Sequence, residues 1–129
     1  MKKEIIRPEG IAYPSWNYTP AIKCGNTVYC AGTGASDAEG NIVGTEIAAQ
    51  ATQAFRNLEI ILKAAGARLS DVVQMRTFLA DMERDRAGYM EVRNRFWQQP
   101  PGTTIIETGL SRPGLLLQVE AIAVIDDEE

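Results

Sequence analysis

The chain has 129 residues, 45% of them apolar, which suffices for one hydrophobic core and is short for two. We therefore expect a single domain spanning residues 1–129. Histidine is absent, which excludes Ser-His-Asp and Cys-His catalytic machinery and any zinc site that uses imidazole. Acid–base chemistry must fall to carboxylates, Lys, Tyr, Cys or bound water, and the sequence indicates neither a metal nor a cofactor.

The net charge of −4 comes from the end of the chain. Seventeen acidic residues stand against 13 Lys and Arg, and residues 126–129 form an acidic tail, so the remaining body is formally neutral. A neutral body argues against nucleic-acid binding, which needs clustered basic residues. The only apolar run near the basic N-terminus is Ile5-Ile6, so we expect no signal peptide, no membrane span and a cytoplasmic location.

The first predicted elements are two strands within residues 19–31, joined by a turn at Gly25-Asn26. Cys24 lies beside this turn and Cys30 lies several residues along the second strand, so the two should not face each other. We expect two free thiols in a reducing compartment. A small buried hydrophobe is favoured over a redox or nucleophilic role, because no activating base is apparent.

A polar loop over residues 32–44 leads to a strong helix. Its apolar stripe recurs in steps of three and four from Ile47 to Ala65, and Gly66 is placed to end it. Residues 71–79 alternate as a strand, and Asp85 is the predicted cap of a weaker second helix. That helix has a shared face of Tyr89, Val92 and Phe96, with Trp97 near its edge, and stops before Pro100-Pro101-Gly102. Two strands, 103–108 and 115–125, complete the order.

This order predicts an α+β fold with two helices packed on one face of a mixed sheet. The last strand presents two faces that are both rich in apolar residues. One carries Leu117, Val119, Ala121, Ala123 and Ile125, and the other carries Leu116, Gln118, Glu120, Ile122 and Val124. Strand 71–79 repeats the pattern, with Val72, Gln74, Arg76 and Phe78 opposite Val73, Met75 and Leu79. Two helices cover one face, so we expect the other to pack against further copies of the chain in a symmetric oligomer.

Glu120 is the strongest candidate for chemistry, because a carboxylate among apolar strand neighbours is the kind of group whose proton affinity a protein tunes. Its alternative is an ion pair with Arg76, which shares its parity, and spacing alone favours that alternative. Glu107 is a weaker candidate for the same acid–base role. Arg112, in the turn before the last strand, could bind an anion, although a solvated side chain is the simpler interpretation.

Four parts of the chain carry a resemblance to a known family: residues 18–32, the helix 50–66 with Asn57-Leu58 and its Ala-Ala-Gly end, residues 71–73 and 79–82, and the closing segment 119–124. In these segments the chain resembles the RidA (YjgF, reactive intermediate deaminase) family. The resemblance implies a chorismate-mutase-like fold and a homotrimer whose inner sheet faces form a central barrel. It also implies clefts for a small-molecule metabolite between neighbouring subunits.

In that family, water hydrolyses 2-imino or 2-enamino acids to a 2-keto acid and ammonia. By resemblance, Tyr18 matches the cleft tyrosine, Gly32 the backbone glycine and Glu120 the glutamate that acts with water. The arginine that holds the substrate carboxylate does not carry over, because its position falls at Thr103, and the family's cleft asparagine falls at Met90. A hydroxyl gives one neutral hydrogen bond where a guanidinium gives a bidentate clamp. Arg76 is a possible substitute.

The leading hypothesis is a RidA-type hydrolase acting on a small imine, enamine or related metabolite, with generic 2-imino acid deamination in doubt because of Thr103. Glu120 would activate water, while Tyr18, Thr103 and the Gly32 backbone would contact substrate. The alternative is a trimeric small-molecule-binding or regulatory protein without deaminase activity. Ribonuclease activity, attributed to some members of the family, fits poorly with a neutral body that has no basic stripe.

Overall fold

The structure is a computed structural model that describes residues 2–13 and 17–126. Its six strands form one sheet in the order β1-β2-β3-β6-β4-β5, in which only the β4/β5 pair is parallel. The elements are β1 (Lys3–Ile6), β2 (Ala21–Cys24), β3 (Thr27–Thr33), α1 (Ile47–Ala64), β4 (Val72–Leu79), α2 (Met82–Phe96), β5 (Gly102–Glu107) and β6 (Leu117–Val124). The predicted α+β fold, with two helices on a mixed sheet, is confirmed.

The core lies between the sheet and the two helices. The apolar stripe of α1 packs on the inward parity of β6, where Leu117, Val119, Ala121 and Ala123 are buried. Phe55 joins the helices, because its ring lies 5.1 Å from that of Trp97, edge to face, and 5.9 Å from that of Tyr89. Burying a side chain of this size stabilises the fold by roughly 1.5–3 kcal/mol.

The end of α1 follows the sequence prediction. Gly66 has a φ of 85°, a left-handed conformation that side chains with a Cβ avoid, and the Ala67 amide donates back to the Leu62 carbonyl at 2.8 Å. The chain then turns through a short 3₁₀ segment, Leu69–Asp71, into β4.

The start of α2 differs from the prediction. Asp81, not Asp85, caps the helix, because its Oδ1 accepts a hydrogen bond from the Arg84 amide at 3.0 Å. The Asp85 amide already donates to the Asp81 carbonyl within the first turn, and the Asp85 carboxylate is buried in an ion pair with Arg84. The predicted cap was therefore one turn too late.

Two features of the sheet were not predicted from the sequence. The first is β1, a four-residue strand that pairs with β2 and buries only Ile6. The second is a bulge in β4, where Val72 pairs with Ala123 and Gln74 pairs with Ile122. The bulge reverses the predicted parity of two residues. Val72 is buried under the helices, and Val73 is 52% exposed.

The sheet face away from the helices, which we call the open face, carries many apolar side chains. Tyr29 is 49% exposed and Ile5 is 63% exposed, and Ile122 lies beside Tyr29 as its register partner. The open face also includes Ile22, Arg76, Phe78, Ile106, Glu120 and Val124. Across residues 2–13 and 17–126, neither helix is long and apolar enough to cross a bilayer.

Candidate active site

Glu120 and Arg76 lie side by side at the centre of the open face. They are register partners on β6 and β4, and Arg76 Nε lies 3.2 Å from Glu120 Oε1. Their side chains are 53% exposed for Arg76 and 39% exposed for Glu120. The ion pair that strand parity predicted is therefore present, and both groups remain accessible to water on one side of a single chain.

Gly32 lies next to this pair because of a second bulge. In the β3/β6 register Cys30 is opposite Ala121 and Thr33 is opposite Val119, so Ala31 and Gly32 together oppose Glu120. A Cβ on Gly32 would lie 3.4–3.5 Å from the Gln118 amide group. Glycine thus lets the backbone run close to Gln118, one step along the same face from Glu120.

Tyr18 is held against the same bulge. Its hydroxyl donates to the Gly32 carbonyl at 3.0 Å and lies 3.2 Å from Thr33 Oγ1. Burial raises the pKa of Tyr18 above its ordinary value, and the contact with Thr33 offsets part of that rise. At neutral pH the Tyr18 side chain is therefore a neutral phenol that can donate a hydrogen bond but cannot act as a base.

Thr103 occupies the other face of the sheet. Its partner in β4 is the buried Met75, whereas the partner of Arg76 is Thr104. The Thr103 hydroxyl donates to the Pro101 carbonyl at 2.9 Å. Within one chain the structure brings Glu120, Arg76 and Gly32 together with Tyr18 nearby, and it does not bring Thr103 to them.

A cavity of about 650 Å³ opens beside Tyr18 and Gly32. We call it the Tyr18 cavity. Glu120, Arg76 and Thr103 are not part of its lining, but Gln118 is, so the cavity ends next to the ion pair. Its other lining residues come from three loops, from the end of β3 and from α1: Ile11, Ala12, Tyr13, Thr33, Gly34, Ser36, Ala38, Glu39, Gly40, Asn57, Ser111, Arg112 and Leu115.

Two buried amide side chains of α1 hold the loops that line this cavity. Gln50 Nε2 donates to the carbonyls of Gly44 and Gly114 at 3.0 and 2.9 Å, and Gln50 Oε1 accepts from the Leu116 amide at 2.8 Å. Asn57 Nδ2 donates to the carbonyls of Gly34 and Ser36 at 3.0 and 2.7 Å. Leaving a buried amide group without its hydrogen-bond partners costs free energy, so these bonds fix both loops to the helix.

The roles of Gln50 and Asn57 at the cavity were not predicted from the sequence. The available signal was the presence of two polar residues, seven apart, on the apolar stripe of α1. Ser36, Gln118 and Arg112 carried no comparable signal as a group, because they meet only when the loop after β3 and the turn before β6 fold together.

The remaining titratable candidates have structural roles. Glu107 Oε1 accepts from the Met82 amide at 2.9 Å and so assists the start of α2. Cys30 faces the core, and burial raises its pKa to about 12, which keeps the thiol protonated and a poor nucleophile. Cys24 is a free thiol on the opposite face of the sheet. Residues 2–13 and 17–126 contain no cluster of carboxylates and thiols that could hold a metal.

Known proteins are similar to this chain over nearly its full length. The model of the endoribonuclease L-PSP family matches residues 10–125. A RutC family protein of Pyrococcus abyssi is 35% identical over 95% of this chain and 98% of its own. The 3-aminoacrylate deaminase RutC of Acinetobacter baylyi is 32% identical over 95% and 98%, and a 2-iminobutanoate/2-iminopropanoate deaminase of Dermatophagoides farinae is 30% identical over 96% and 98%.

Solved structures agree with these matches. RidA from an Antarctic Psychrobacter species superposes with a TM-score of 0.87 at 30% identity, covering 95% of this chain and 99% of its own. The family match, the relatives and the fold point the same way, and the chain belongs to the RidA/YjgF family, described as endoribonuclease L-PSP.

Proposed function

We propose that this protein is a hydrolytic deaminase that acts on a small imine, enamine or related metabolite in a cleft between subunits of a homotrimer. The observation that carries the proposal is the juxtaposition of Glu120 with the bulge at Gly32, against which the Tyr18 hydroxyl is held. These are the residues that the family resemblance assigns to substrate and water. The deaminase names of two relatives with 30–32% identity support the reaction class.

The reaction is the addition of water to a carbon–nitrogen double bond. Glu120 accepts a proton as the water oxygen bonds to the imine carbon, the electron pair of the double bond moves to nitrogen, and Glu120 returns the proton to that nitrogen to give a carbinolamine. In the second step Glu120 takes the proton of the carbinolamine hydroxyl and the amino nitrogen gains a proton as the C–N bond breaks, which releases ammonia and leaves a carbonyl group. Arg76, 3.2 Å from Glu120, orients the carboxylate, and the neutral Tyr18 hydroxyl fixes the backbone of the bulge.

The trimer completes the proposal, because one chain leaves the open face uncovered. Tyr29, Ile122 and Val124 lie together on this face, and its centre holds the Arg76–Glu120 pair. Packing three such faces would bury the apolar side chains and enclose the pair. A neighbouring copy would also bring its own Thr103 edge towards the cleft, which a single chain does not do.

The test follows keto-acid release from 2-iminobutanoate generated in situ, above the spontaneous rate. We expect measurable but weak activity in the wild type, because Thr103 provides no carboxylate clamp. Replacing a general acid–base group typically costs about 10²–10⁴ in rate, so Glu120→Ala should abolish enzymatic release. Glu59→Ala, an exposed glutamate on α1, is the matched control and should leave the rate unchanged. Equal rates for wild type and Glu120→Ala would contradict the proposal.

A binding protein without deaminase activity is the second candidate. The observation in its favour is that no arginine stands at position 103, so the anchor for small 2-imino acids is missing there. On this hypothesis neither wild type nor any Glu120 variant accelerates imine hydrolysis. A keto or amino acid would nevertheless raise the melting temperature of the wild type, since a ligand that binds only the folded state stabilises it.

A further inference from the structure

The Tyr18 cavity is larger than a three- or four-carbon acid requires. At about 650 Å³ it falls within the range of sites that enclose drug-sized ligands. Its lining is divided between polar and apolar groups. Among the described lining residues, Arg112 is the only cation and Glu39 the only anion. The cavity therefore has a defined place for a negatively charged group.

The turn that carries Arg112 is tied both to the loop after β3 and to α1. Arg112 Nη1 donates to Ser36 Oγ at 3.3 Å, which joins the turn before β6 to the loop after β3. Gln50 fixes the turn through Gly114 and Leu116, and Asn57 fixes the carbonyl of Ser36. The Ser36 hydroxyl accepts from Arg112, so its own proton remains available to an anion. The guanidinium and the hydroxyl thus form a positioned pair of donors.

The cavity also has an aromatic and apolar part of its lining. The rings of Tyr13 and Tyr18 are 6.4 Å apart, and Ile11 and Leu115 extend the same lining. Arg7 contacts both tyrosines, because its guanidinium lies 4.1 Å from the centre of the Tyr13 ring and also donates to the Tyr18 carbonyl. Gly32 and Gln118 belong to the same lining, and Gln118 is two residues from Glu120 on the same face of β6.

We propose that the Tyr18 cavity binds a carboxylic acid with an aromatic or bulky apolar body, whose carboxylate is anchored by Arg112 and Ser36. The body lies along Tyr13 and Tyr18, and the far end reaches Gly32 and Gln118. This inference deepens the proposed function, on which it rests for the identity of the reacting end. Arg112 is then the substrate-anchoring cation in a chain that has Thr103 in place of the family's arginine.

The experiment measures binding by calorimetry with three probes that need no turnover. These are 3-phenylpropanoate, its neutral methyl ester, and butanoate. We expect 3-phenylpropanoate to bind at least tenfold more tightly than either of the others. Arg112→Gln should remove that advantage by weakening 3-phenylpropanoate about tenfold while leaving the ester unchanged, since a charge-assisted pair is lost. Arg56→Gln, an exposed arginine on α1, is the matched control and should bind like the wild type.

Two further variants sharpen the result. Glu39→Gln removes the one opposing charge and should tighten 3-phenylpropanoate by about threefold. Glu120→Ala should keep full affinity while losing turnover, which separates this inference from the proposed deaminase activity. Absence of acid binding, or equal affinity for acid and ester in wild type and Arg112→Gln, would overturn the anchor even if the protein hydrolyses imines. Binding without hydrolysis would support the anchor and contradict the proposed reaction.

Discussion

Arg76 and Glu120 form an ion pair between adjacent strands, 3.2 Å from Nε to Oε1, on a sheet face whose other side chains are mostly apolar. Such a pair has two very different energies depending on its surroundings. On an exposed surface it contributes about 0–1 kcal/mol. When it is enclosed, removing one partner costs roughly 3–5 kcal/mol, because the other charge is left buried alone.

The first prediction concerns whether neighbouring copies cover the open face, since only an enclosed pair contributes several kcal/mol. We expect Arg76→Gln to lower the free energy of unfolding by about 3 kcal/mol, as an enclosed pair would. Replacing both residues, as in Arg76→Gln with Glu120→Gln, should recover part of the loss. The measurement is urea unfolding at one fixed protein concentration, since association contributes to apparent stability. A loss below about 1 kcal/mol would show that the pair stays in contact with water.

The second prediction concerns the oligomer. Ile122 lies beside Tyr29 on the open face, so Ile122→Asp would bring a carboxylate into the contact between copies. We expect the wild type to sediment as a trimer of the 14.1 kDa chain and Ile122→Asp to sediment as a folded monomer. Ala48→Asp adds the same charge to the exposed first turn of α1 and should leave the trimer intact. A monomeric wild type would contradict the hypothesis that neighbouring copies cover the open face.

The third prediction addresses the missing arginine. Thr103→Arg restores the cation at the position that the family resemblance assigns to the substrate carboxylate, and we expect it to raise 2-iminobutanoate hydrolysis at least tenfold. Most of the gain should come through KM, because the clamp binds the carboxylate before and during the reaction. Gln98→Arg adds the same charge at an exposed position just after α2, away from the Arg76–Glu120 pair, and serves as the control. Similar gains from both variants would mean that charge alone, without position, explains the effect.

The fourth prediction follows from the burial of Cys30. Its pKa rises from 9.0 to about 12 in the folded chain, so the unfolded chain loses this proton more readily. The stability that the neutral thiol contributes is complete below pH 9 and is lost as the pH rises towards 12, by at most about 1.4 kcal/mol per pH unit.

The readout for Cys30 is the difference in slope between wild type and variant in the free energy of unfolding from pH 9 to 10, because the buried Tyr18 and Tyr89, whose pKa values are raised from 10.0, add the same slope to both. We expect Cys30→Ala to start from a lower stability and to decline less steeply across that interval. Cys24→Ala keeps Cys30 and should decline like the wild type. If the slopes for wild type and Cys30→Ala coincide, the thiol is not a source of alkaline sensitivity.

Local patterns accounted for most of the fold. The stripe of α1 with Gly66 at its end, the turn at Gly25-Asn26 and the alternation of β6 each depend on residues close in sequence, and each was predicted correctly. The β4 bulge was missed because strict alternation assigns Val72 and Val73 to faces that pairing with β6 exchanges. β1 was missed because four residues with one buried side chain carry almost no periodic signal.

The candidate site was likewise predicted in part. Strand parity put Arg76 and Glu120 on the same face of the sheet, which left an ion pair between them as one alternative, and the structure has them in register. Parity could not relate Thr103 to them, because the direction of β5 and its register with β4 are set by a connection that runs through α2. No local sequence pattern predicts the Tyr18 cavity, since Ser36 and Arg112 are 76 residues apart and meet only through contacts with α1.

Gln50 and Asn57 lie seven residues apart, about two turns, so they point to the same side of α1 and each holds a different loop. The spacing of these two side chains along α1 therefore sets the relative position of the two loops that line the cavity. Inserting or deleting one residue between them would rotate one loop relative to the other by about 100° and shift it by about 1.5 Å. Changes in loop length elsewhere can be absorbed at the surface, whereas the number of residues between these two amides is fixed by the shape of the site.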